Sequence, residues 1–545
     1  MSNPNRPLKN FFFIRGLQIF APSPLVSRQE RVIVFLIFAI FAVAFCTFQT
    51  TTAWFHHLDT AFLMETLTSI KETGVPTTYL GPSFIDAANT FFSNAEVLCR
   101  AELVASGRGL SVLDSHAYLV LYPLAAFTWL FPPHIILSVV NGLSFVLVVF
   151  ILYWVIRRQS VPALGPVAFC LLVMAHPAWS HASLGDFYAD RFFMPLGLLY
   201  ISLLYDAMTR QSNISPKYLS LILVVGLLAS STTERAAIMI ALVTIACLVL
   251  YRNNVASRNT KIILVIFSVT LLAYVFLYLK LLYVHYDGTG NSLGSLLQGL
   301  PLFFEQIQAP AYAAKTWEFI VINVLLFGIF ALFDWRLALI AFAAMLPNIL
   351  TTIGGAEKTG WGTHYHSMYF PFLAFASAMG YSRLWNLLGA VKYRVAQVGL
   401  ALALIPLISN YSPGYGDQNG AVKRVYAFYA KGEKSYEKYM AGQMEQIAAA
   451  IPAGSKVTTS EGFVPILYHN RTIYYYPVGL DKADYAVLTR VGQPDGFFYY
   501  AGAVSYIGQS QKADICLTQR LRKVGFNVEQ PRLLVGDMVV LERKK

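Results

Sequence analysis

Charged residues are scarce in this chain: only 13% of its 545 residues are charged, whereas 56% are hydrophobic. Soluble proteins carry about 25% charged and about 45–50% apolar residues, so the composition excludes a single water-soluble globule. It excludes disordered, collagen-like and coiled-coil chains as well. Five cysteines are too few for a disulfide-built scaffold. A Walker-type glycine loop, a GxGxxG fingerprint before a helix, a GxSxG elbow and an HExxH motif are also missing.

Long apolar runs are abundant, and they predict a polytopic α-helical membrane protein. A bilayer crossing needs about 17–25 mostly apolar residues. Eleven segments qualify: roughly 32–51, 134–156, 161–176, 191–208, 217–233, 235–251, 261–283, 318–333, 336–353, 367–382 and 394–411. We interpret the first as a retained anchor because no small-x-small cleavage site follows it. The shorter run 117–131 is predicted to lie in the membrane interface without crossing.

The basic residues predict the orientation. The net charge of +12 is spread between apolar stretches, so we expect no nucleic-acid partner. With residues 1–31 in the cytoplasm, the loops holding Arg157, Arg158, Arg210, Arg252 and Arg383 all fall inside, as the positive-inside rule requires. A transmembrane domain is then predicted over 32–411, with a large first outer loop at 52–133. An odd number of crossings puts the tail outside an inner (plasma) membrane.

The tail has the composition of a soluble domain. From 412 to 545 the chain is richer in charge, and a helical pattern at 435–451 precedes the strand-like runs KVTTS, TIYYYPV, DYAVLT and DMVVLER. Strands that alternate with helices predict a C-terminal extracytoplasmic α/β domain.

The ionisable residues concentrate on the predicted outer face. Such residues at membrane depth are costly and usually line a polar cavity, so a site at the outer interface is expected. Its candidate residues are Asp59, Asp114, His116, Asp186, Asp190, Glu234, Arg235, Lys358, His364 and His366. Other roles stay open: Asp59, Asp114 and Asp190 suit helix capping, Asp186 suits a solvated loop, and the two histidines suit interfacial anchoring.

No metal motif is strong. The HxH pair at 364–366 is only a loose ligand pattern, although outer acids can complete an oxygen-rich site for a divalent metal such as Mg or Mn. Whether Cys99 pairs with Cys516 is open.

An outer site reached from the lipid phase suits transfer of a group from a lipid-phosphate carrier. The polyprenyl tail of such a donor needs an apolar groove, its phosphate needs Arg, Lys or His contacts, and the acceptor hydroxyl needs a carboxylate to take its proton. A transporter or a lipid-linked-substrate binding protein is the alternative. Transporters often have internal repeats and broken helices near the midplane, and neither is visible in the sequence.

Several segments resemble a known group of membrane enzymes. They include HLDTAFLMETLTSIKETG, LDSHAYLVLYPLAAFTWLFP, TERAAIMIALV and THYHSMYFPFLAFASAMGY. With them the chain resembles the GT-C superfamily of polyprenyl-phosphate-sugar-dependent glycosyltransferases, and more closely an uncharacterised family of bacterial polytopic membrane proteins grouped with that superfamily.

The resemblance implies roles for individual residues. Asp59 matches the first-loop acid of the superfamily and is implied to be the general base of an inverting transfer. Asp114 and His116 are implied to contact the acceptor or a metal. His364 and His366 match a histidine motif before a late span. Many members carry paired acids in the first loop, whereas Leu58 and Thr60 flank Asp59. The implied partners are a polyprenyl-phosphate-linked sugar donor, membrane lipid, and a glycan, lipid or protein acceptor.

Overall fold

The computed structural model is mostly helical. It describes residues 26–52, 58–80, 109–114, 116–181, 183, 187–209, 214–251, 257–282, 310–350, 361, 365–391, 399, 420–459, 463–468, 472–477, 479–493, 496–500 and 518–544. Four of its helices are long and apolar enough to cross a membrane: α1 (Arg28–Thr51), α4 (Pro133–Arg157), α7 (Ala189–Thr209) and α10 (Arg258–Leu281). The prediction of a membrane protein with several apolar helices is confirmed.

Further helices, all but one of them shorter, complete the helical part. They are α5 (Leu164–Ala175), α8 (Pro216–Ser230), α9 (Glu234–Leu250), α11 (Pro310–Asn323), α12 (Ile329–Ala331), α13 (Trp335–Leu350) and α14 (His366–Leu387); a one-turn helix α6 (Pro177–Ser180) follows α5. Each predicted segment up to 367–382 coincides with one of these helices or with the interrupted pair α11 and α12. Segment 394–411 lies outside the described residues, so eleven crossings stay a prediction.

Local signals account for where several helices begin. The Ser27 and Ser215 side chains accept hydrogen bonds from backbone amides of the first turns of α1 and α8, and Ser257 does the same for α10. These are N-caps, which satisfy amides that have no partner within the helix. Helices α4 and α8 also have proline in the first turn, where its missing N–H costs nothing.

The predicted first outer loop contains short elements. Helix α2 (Leu58–Thr73) leads into a small antiparallel pair of β1 (Thr77–Thr78) and β2 (Leu110–Ser111). Over 117–131 the chain forms only α3 (Leu121–Ala125) and a 3-10 turn at Ala126–Trp129. Nine helical residues span about 14 Å, less than half of a bilayer core of about 30 Å. Trp129 and Leu130 at its end are 72% and 74% exposed.

Ion pairs fasten one end of the helices, which we call the basic end. They join Arg157 to Glu30 (2.7 Å), Arg158 to Asp206 (2.7 Å) and Arg383 to Asp334 (2.6 Å). Arg157 is bidentate on the Glu30 carboxylate and also donates to the Val161 carbonyl. Arg157 and Arg158 lie at the end of α4, Glu30 and Asp334 lie at the starts of α1 and α13, and Asp206 and Arg383 lie near the ends of α7 and α14. The pairs therefore link different helices.

A close backbone contact joins α14 to α12. A methyl group added at Gly380 would overlap the Phe330 carbonyl oxygen, so only glycine lets the two helices approach this closely. The contact lies just after a π-helical turn at Val324–Gly328 that separates α11 from α12.

The C-terminal segment combines helices and a mixed sheet. Helices α15 (Ala421–Lys431) and α16 (Tyr436–Ala449) precede β3 (Lys456–Thr459), α17 (Val464–Leu467), β4 (Thr472–Tyr475), β5 (Tyr485–Gln493), β6 (Gly496–Tyr500), β7 (Leu533–Val535) and β8 (Met538–Glu542). The strand order is β4-β3-β5-β8-β7, and β6 also pairs with β5. The four strand-like runs form β3, β4, β5 and β8.

This segment packs against the helical part. The Tyr429 hydroxyl of α15 donates to the Ala44 carbonyl of α1 at 2.9 Å, and Phe428 contacts Phe48 edge-on at a ring distance of 5.5 Å. A second contact involves α2, since Val464 is buried against Ala61 and Leu80.

Candidate functional site

Glu234 organises a polar cluster at the end of the helices opposite the basic end. It is the first residue of α9 and is buried. Its Oε1 lies 3.3 Å from Nδ1 of His116. Its Oε2 accepts hydrogen bonds from the Ala117 amide (3.1 Å) and the Thr233 hydroxyl (3.0 Å). The carboxylate therefore holds the chain around His116 against the start of α9.

Backbone and ring contacts also fix the segment around His116 against the start of α9. The Val120 amide donates to the Ser231 carbonyl at 2.9 Å, which ties the segment after His116 to the turn before α9. The imidazole is stacked on Tyr118 with ring centroids 4.9 Å apart. Since Nδ1 faces Glu234 and a third of the side chain is exposed, Nε2 is the nitrogen left for a ligand.

Arg235 adds a positive charge to the cluster. Its Nε lies 3.7 Å from Glu234 Oε1, and its guanidinium carbon lies 5.2 Å from the centre of the Tyr365 ring, a cation–π arrangement. About a third of the side chain is exposed. The pairing orients the guanidinium and leaves donors for another anion, because arginine carries five N–H groups.

Asp190 supplies the second carboxylate. It is the second residue of α7, is 1% exposed, and interacts electrostatically with Arg235, His116 and Glu234. Two acids and an arginine, with the titratable His116, thus meet where α7 and α9 begin. We call His116, Asp190, Glu234, Arg235 and Tyr365 the polar cluster.

The first turn of α2 lies beside this cluster. The Thr60 hydroxyl donates to the Phe187 carbonyl at 3.4 Å, and Phe187 precedes Asp190 by three residues. Asp59 is the second residue of α2, so its backbone lies next to the start of α7. The Asp59 side chain is outside the described residues.

Other candidates are apart from the cluster or undescribed. Asp114 ends a half-buried 3-10 turn seven residues before α3, and its carboxylate makes no hydrogen bond to the described residues. His366 is buried, stacked on Trp361 at 4.9 Å, and its Nδ1 lies 2.9 Å from the Tyr369 hydroxyl. This environment suits a core histidine. Asp186, Lys358 and His364 lie outside the described residues.

Sequence reasoning missed two residues near the site. Tyr365 is not among the predicted candidates, although its ring is the one that Arg235 contacts. Arg191 is also not among the predicted candidates, although its guanidinium is fully buried, 5.3 Å from the Tyr188 ring and 6.0 Å from the Phe145 ring. Its position directly after Asp190 at the start of an apolar helix was the available signal.

The cluster suits recognition of an anion next to a proton-accepting group. An arginine and an imidazole, both held by Glu234, provide oriented donors for phosphate oxygens. Within the described ranges no group of three His, Cys, Asp or Glu side chains is placed to hold a metal ion.

The chain is similar to a known protein family and to solved structures. A family model described as "Predicted membrane protein (DUF2079)" matches residues 77–522. The crystal structure of ArnT from Cupriavidus metallidurans in the apo state aligns with a TM-score of 0.48 and 13% identity, over 95% of this chain and 98% of that chain. No curated protein matches the sequence.

Proposed function

The chain belongs to the DUF2079 family of predicted membrane proteins, the kind of family expected from its sequence segments, and we propose that it is an integral-membrane glycosyltransferase. In this proposal a sugar passes from a polyprenyl-phosphate carrier to an extracytoplasmic glycan, lipid or protein acceptor, with inversion at the sugar carbon. The observation that carries the proposal is the polar cluster, in which Glu234 holds both His116 and Arg235 at the end of apolar helices.

Arg235 and His116 receive the donor phosphate. As the acceptor oxygen bonds to the sugar carbon, the bond from that carbon to the phosphate oxygen breaks and negative charge grows on the leaving phosphate. Donors that are already oriented stabilise that charge without reorganising. Glu234 is a positioning residue here, because its carboxylate contacts the two donors instead of the substrate.

A carboxylate beside the cluster takes the acceptor proton. We assign this role to Asp59, whose backbone lies in the first turn of α2 next to the start of α7. Asp190 is a poor choice because it is 1% exposed. Asp114 is the second choice, two residues before His116.

Apolar helix surface accommodates the polyprenyl tail. On α1, Phe35, Ile40 and Val43 are 63%, 70% and 68% exposed, as expected of a helix that faces lipid. An outer-leaflet donor with its tail along such a surface presents its phosphate at the membrane boundary. This step requires the polar cluster to face outward and the tail domain to be extracytoplasmic.

The test uses the full chain in lipid nanodiscs with a panel of radiolabelled polyprenyl-phosphate monosaccharides and unlabelled polyprenyl phosphate. Binding of the carrier and release of the sugar are measured separately. We expect Arg235→Ala to weaken binding of the carrier about tenfold or more, since a charge-assisted contact of about 1.5–3 kcal/mol is lost. Arg522→Ala, a surface arginine of the C-terminal segment paired with Glu529, is the matched control.

Three outcomes separate the hypotheses. Carrier binding that depends on Arg235, together with sugar release, supports a transferase. Carrier binding that depends on Arg235 with no sugar release on any donor supports a lipid-linked-substrate binding protein and contradicts the transferase. Equal carrier binding by Arg235→Ala and the wild-type chain removes the polar cluster from the phosphate site.

A further inference from the structure

A groove runs along α2, between the helical part and the C-terminal segment. Its larger lobe has a volume of about 690 Å³ and is lined by Glu65, Lys71, Glu72, Trp129 and Tyr468, among others. Its smaller lobe, about 340 Å³, lies against Thr51, Met64 and Glu445. The lobes share Pro132, Pro133 and Tyr468, so they form one continuous feature, which we call the α2 groove.

The size and lining of the α2 groove are those of a ligand site. Small-molecule sites occupy about 300–1,000 Å³ and combine apolar or aromatic walls with a few polar groups. Here the aromatic wall contains Trp129 and Tyr468, and the polar groups include two carboxylates, one ammonium and the hydroxyl of Thr472.

The polar groups of the groove are held in place. Glu65 Oε2 accepts hydrogen bonds from the Thr78 hydroxyl (2.5 Å) and from the amides of Tyr79 (2.9 Å) and Leu80 (3.0 Å). Lys71 donates to the Thr128 carbonyl at 3.2 Å and lies 4.8 Å from the Trp129 ring centre. Such fixed donors and acceptors reduce the cost of ordering on binding.

The mixed charges of the lining disfavour ligands that carry charge of one sign only. Glu65 and Glu72 repel a phosphate or carboxylate, and Lys71 repels an ammonium that approaches Trp129. Burial raises the pKa of the Glu65 carboxyl group above its ordinary value. The lining suits a neutral ligand with many hydroxyl groups. These hydroxyls can donate hydrogen bonds to the carboxylates and accept one from Lys71, and the apolar face of the ligand can pack on the Trp129 ring. That chemistry is carbohydrate chemistry.

We propose that the α2 groove binds a neutral oligosaccharide, and that this sugar belongs to the acceptor. The assignment of the sugar to the acceptor rests on the proposed function, whereas the binding of a neutral oligosaccharide does not.

The position of the groove supports an acceptor over a donor. Glu65 follows Asp59 by six residues, about 9 Å along the helix axis, and Met64 of the smaller lobe is closer still. Because six residues also turn the helix by about 240°, a chain of several sugars in the groove would extend both along and around α2 to reach Asp59. The wall at Thr128–Pro133 belongs to the segment that exposes Phe127, Trp129 and Leu130, the stretch predicted to lie in the membrane interface. A glycan on a membrane-anchored carrier can reach it.

The experiment measures sugar binding without any transfer reaction. The full chain in nanodiscs is mixed with maltotriose, mannotriose and N-acetylglucosamine trimer, and with trigalacturonic acid as the anionic comparison. Contacts are detected by saturation-transfer NMR and affinities by tryptophan fluorescence. We expect at least one neutral trisaccharide to bind and trigalacturonic acid to bind at least tenfold more weakly.

Variants locate the site. Glu72→Gln, at an exposed position, should weaken the bound trisaccharide about tenfold because a hydrogen bond to a charged group is lost. Trp129→Leu, which keeps an apolar side chain at the interface, should abolish the saturation transfer. Glu433→Gln, whose carboxylate is 88% exposed elsewhere, should change neither. Arg235→Ala should also leave sugar binding unchanged.

Failure of the sugar site and failure of the proposed function are distinguishable. If no neutral trisaccharide binds, or if trigalacturonic acid binds best, the sugar site is wrong whatever the activity. If a trisaccharide binds in a way that depends on Glu72 but no donor sugar is ever transferred, the sugar site stands and its assignment to an acceptor is overturned.

Discussion

Nδ1 of His116 and Oε1 of Glu234 lie 3.3 Å apart although 118 residues separate them in the chain. The contact joins the segment before α3 to the first residue of α9. It also orients the imidazole, since one ring nitrogen is engaged and the other is left for a ligand. The polar cluster depends on the Glu234 carboxylate, which contacts both the segment at His116 and Ala117 and the Thr233 hydroxyl before α9.

Replacing Glu234 by glutamine tests its positioning role. The amide keeps the size of the carboxyl group but removes the charge that holds His116 and Arg235. If Glu234 orients both donors, Glu234→Gln should raise the KM for the lipid-linked donor about tenfold or more, and His116→Ala in that background should add little, because groups that act as a unit are not additive.

The same double variant can contradict the positioning role of Glu234. Full additivity of Glu234→Gln and His116→Ala, measured as kcat/KM on the same donor, would mean that the two residues act independently. Glu437→Gln, at a buried carboxylate paired with Arg424 in the C-terminal segment, controls for loss of a buried charge.

Asp59→Asn tests the proposed base. Asparagine is close in shape to aspartate and serves about as well as a helix cap, yet it cannot accept the acceptor proton. Positioned acid–base groups contribute about 10²–10⁴ in rate, so turnover should fall within that range while the thermal midpoint stays unchanged. If Asp59→Asn retains turnover and Asp59→Ala lowers the thermal midpoint, Asp59 is a cap and the base must be sought at Asp114, Asp186 or Glu234.

Reporter fusions test the orientation on which the site depends. A reporter fused after Ser412 should be active only outside the cytoplasm, and one inserted within 252–261 only inside. The reason is the bias of basic residues toward the predicted inner loops. A tail in the cytoplasm would turn the polar cluster inward and overturn the outer-leaflet donor.

Stability should fall at mildly acidic pH because of His181. Burial lowers the pKa of this side chain, which is 7% exposed, to about 4, whereas an exposed histidine has a pKa near 6.5. The unfolded chain therefore binds more protons between these values, and stability rises with pH from about 4 to about 6.5. The contribution of His181 is up to about 1.4 kcal/mol per pH unit in that range.

Thermal unfolding at pH 7 and pH 5 measures this effect. His181→Gln should reduce the difference between the two midpoints, and the exposed-site variant Lys482→Gln should not. An undiminished difference in His181→Gln would show that His181 is not the group responsible.

The apolar helices and the strands were predictable because each has a local pattern. Hydropathy marks α4 or α7, and runs such as KVTTS mark β3, without knowledge of any partner. The contact of His116 with Glu234 has no such local pattern, since it arises only when α9 begins beside the segment that precedes α3. Likewise, the HxH spacing drew attention to His366, but the backbone turns that ring into an aromatic core and turns Tyr365 toward Arg235. The roles of Asp59, Asp114, Asp190 and the undescribed Asp186, Lys358 and His364 stay predictions.

Gly380 sets the distance between α14 and α12, and this distance affects the position of residues at the far end of α14. At Gly380, α14 touches the Phe330 backbone with no side chain between them. The two helices therefore cannot move closer together at this point. Any larger residue would act as a wedge and tilt α14 about that point. Tyr365 lies at the start of α14, about 20 Å from Gly380 along the helix axis. A methyl group added at Gly380 would therefore displace the Tyr365 ring that Arg235 contacts.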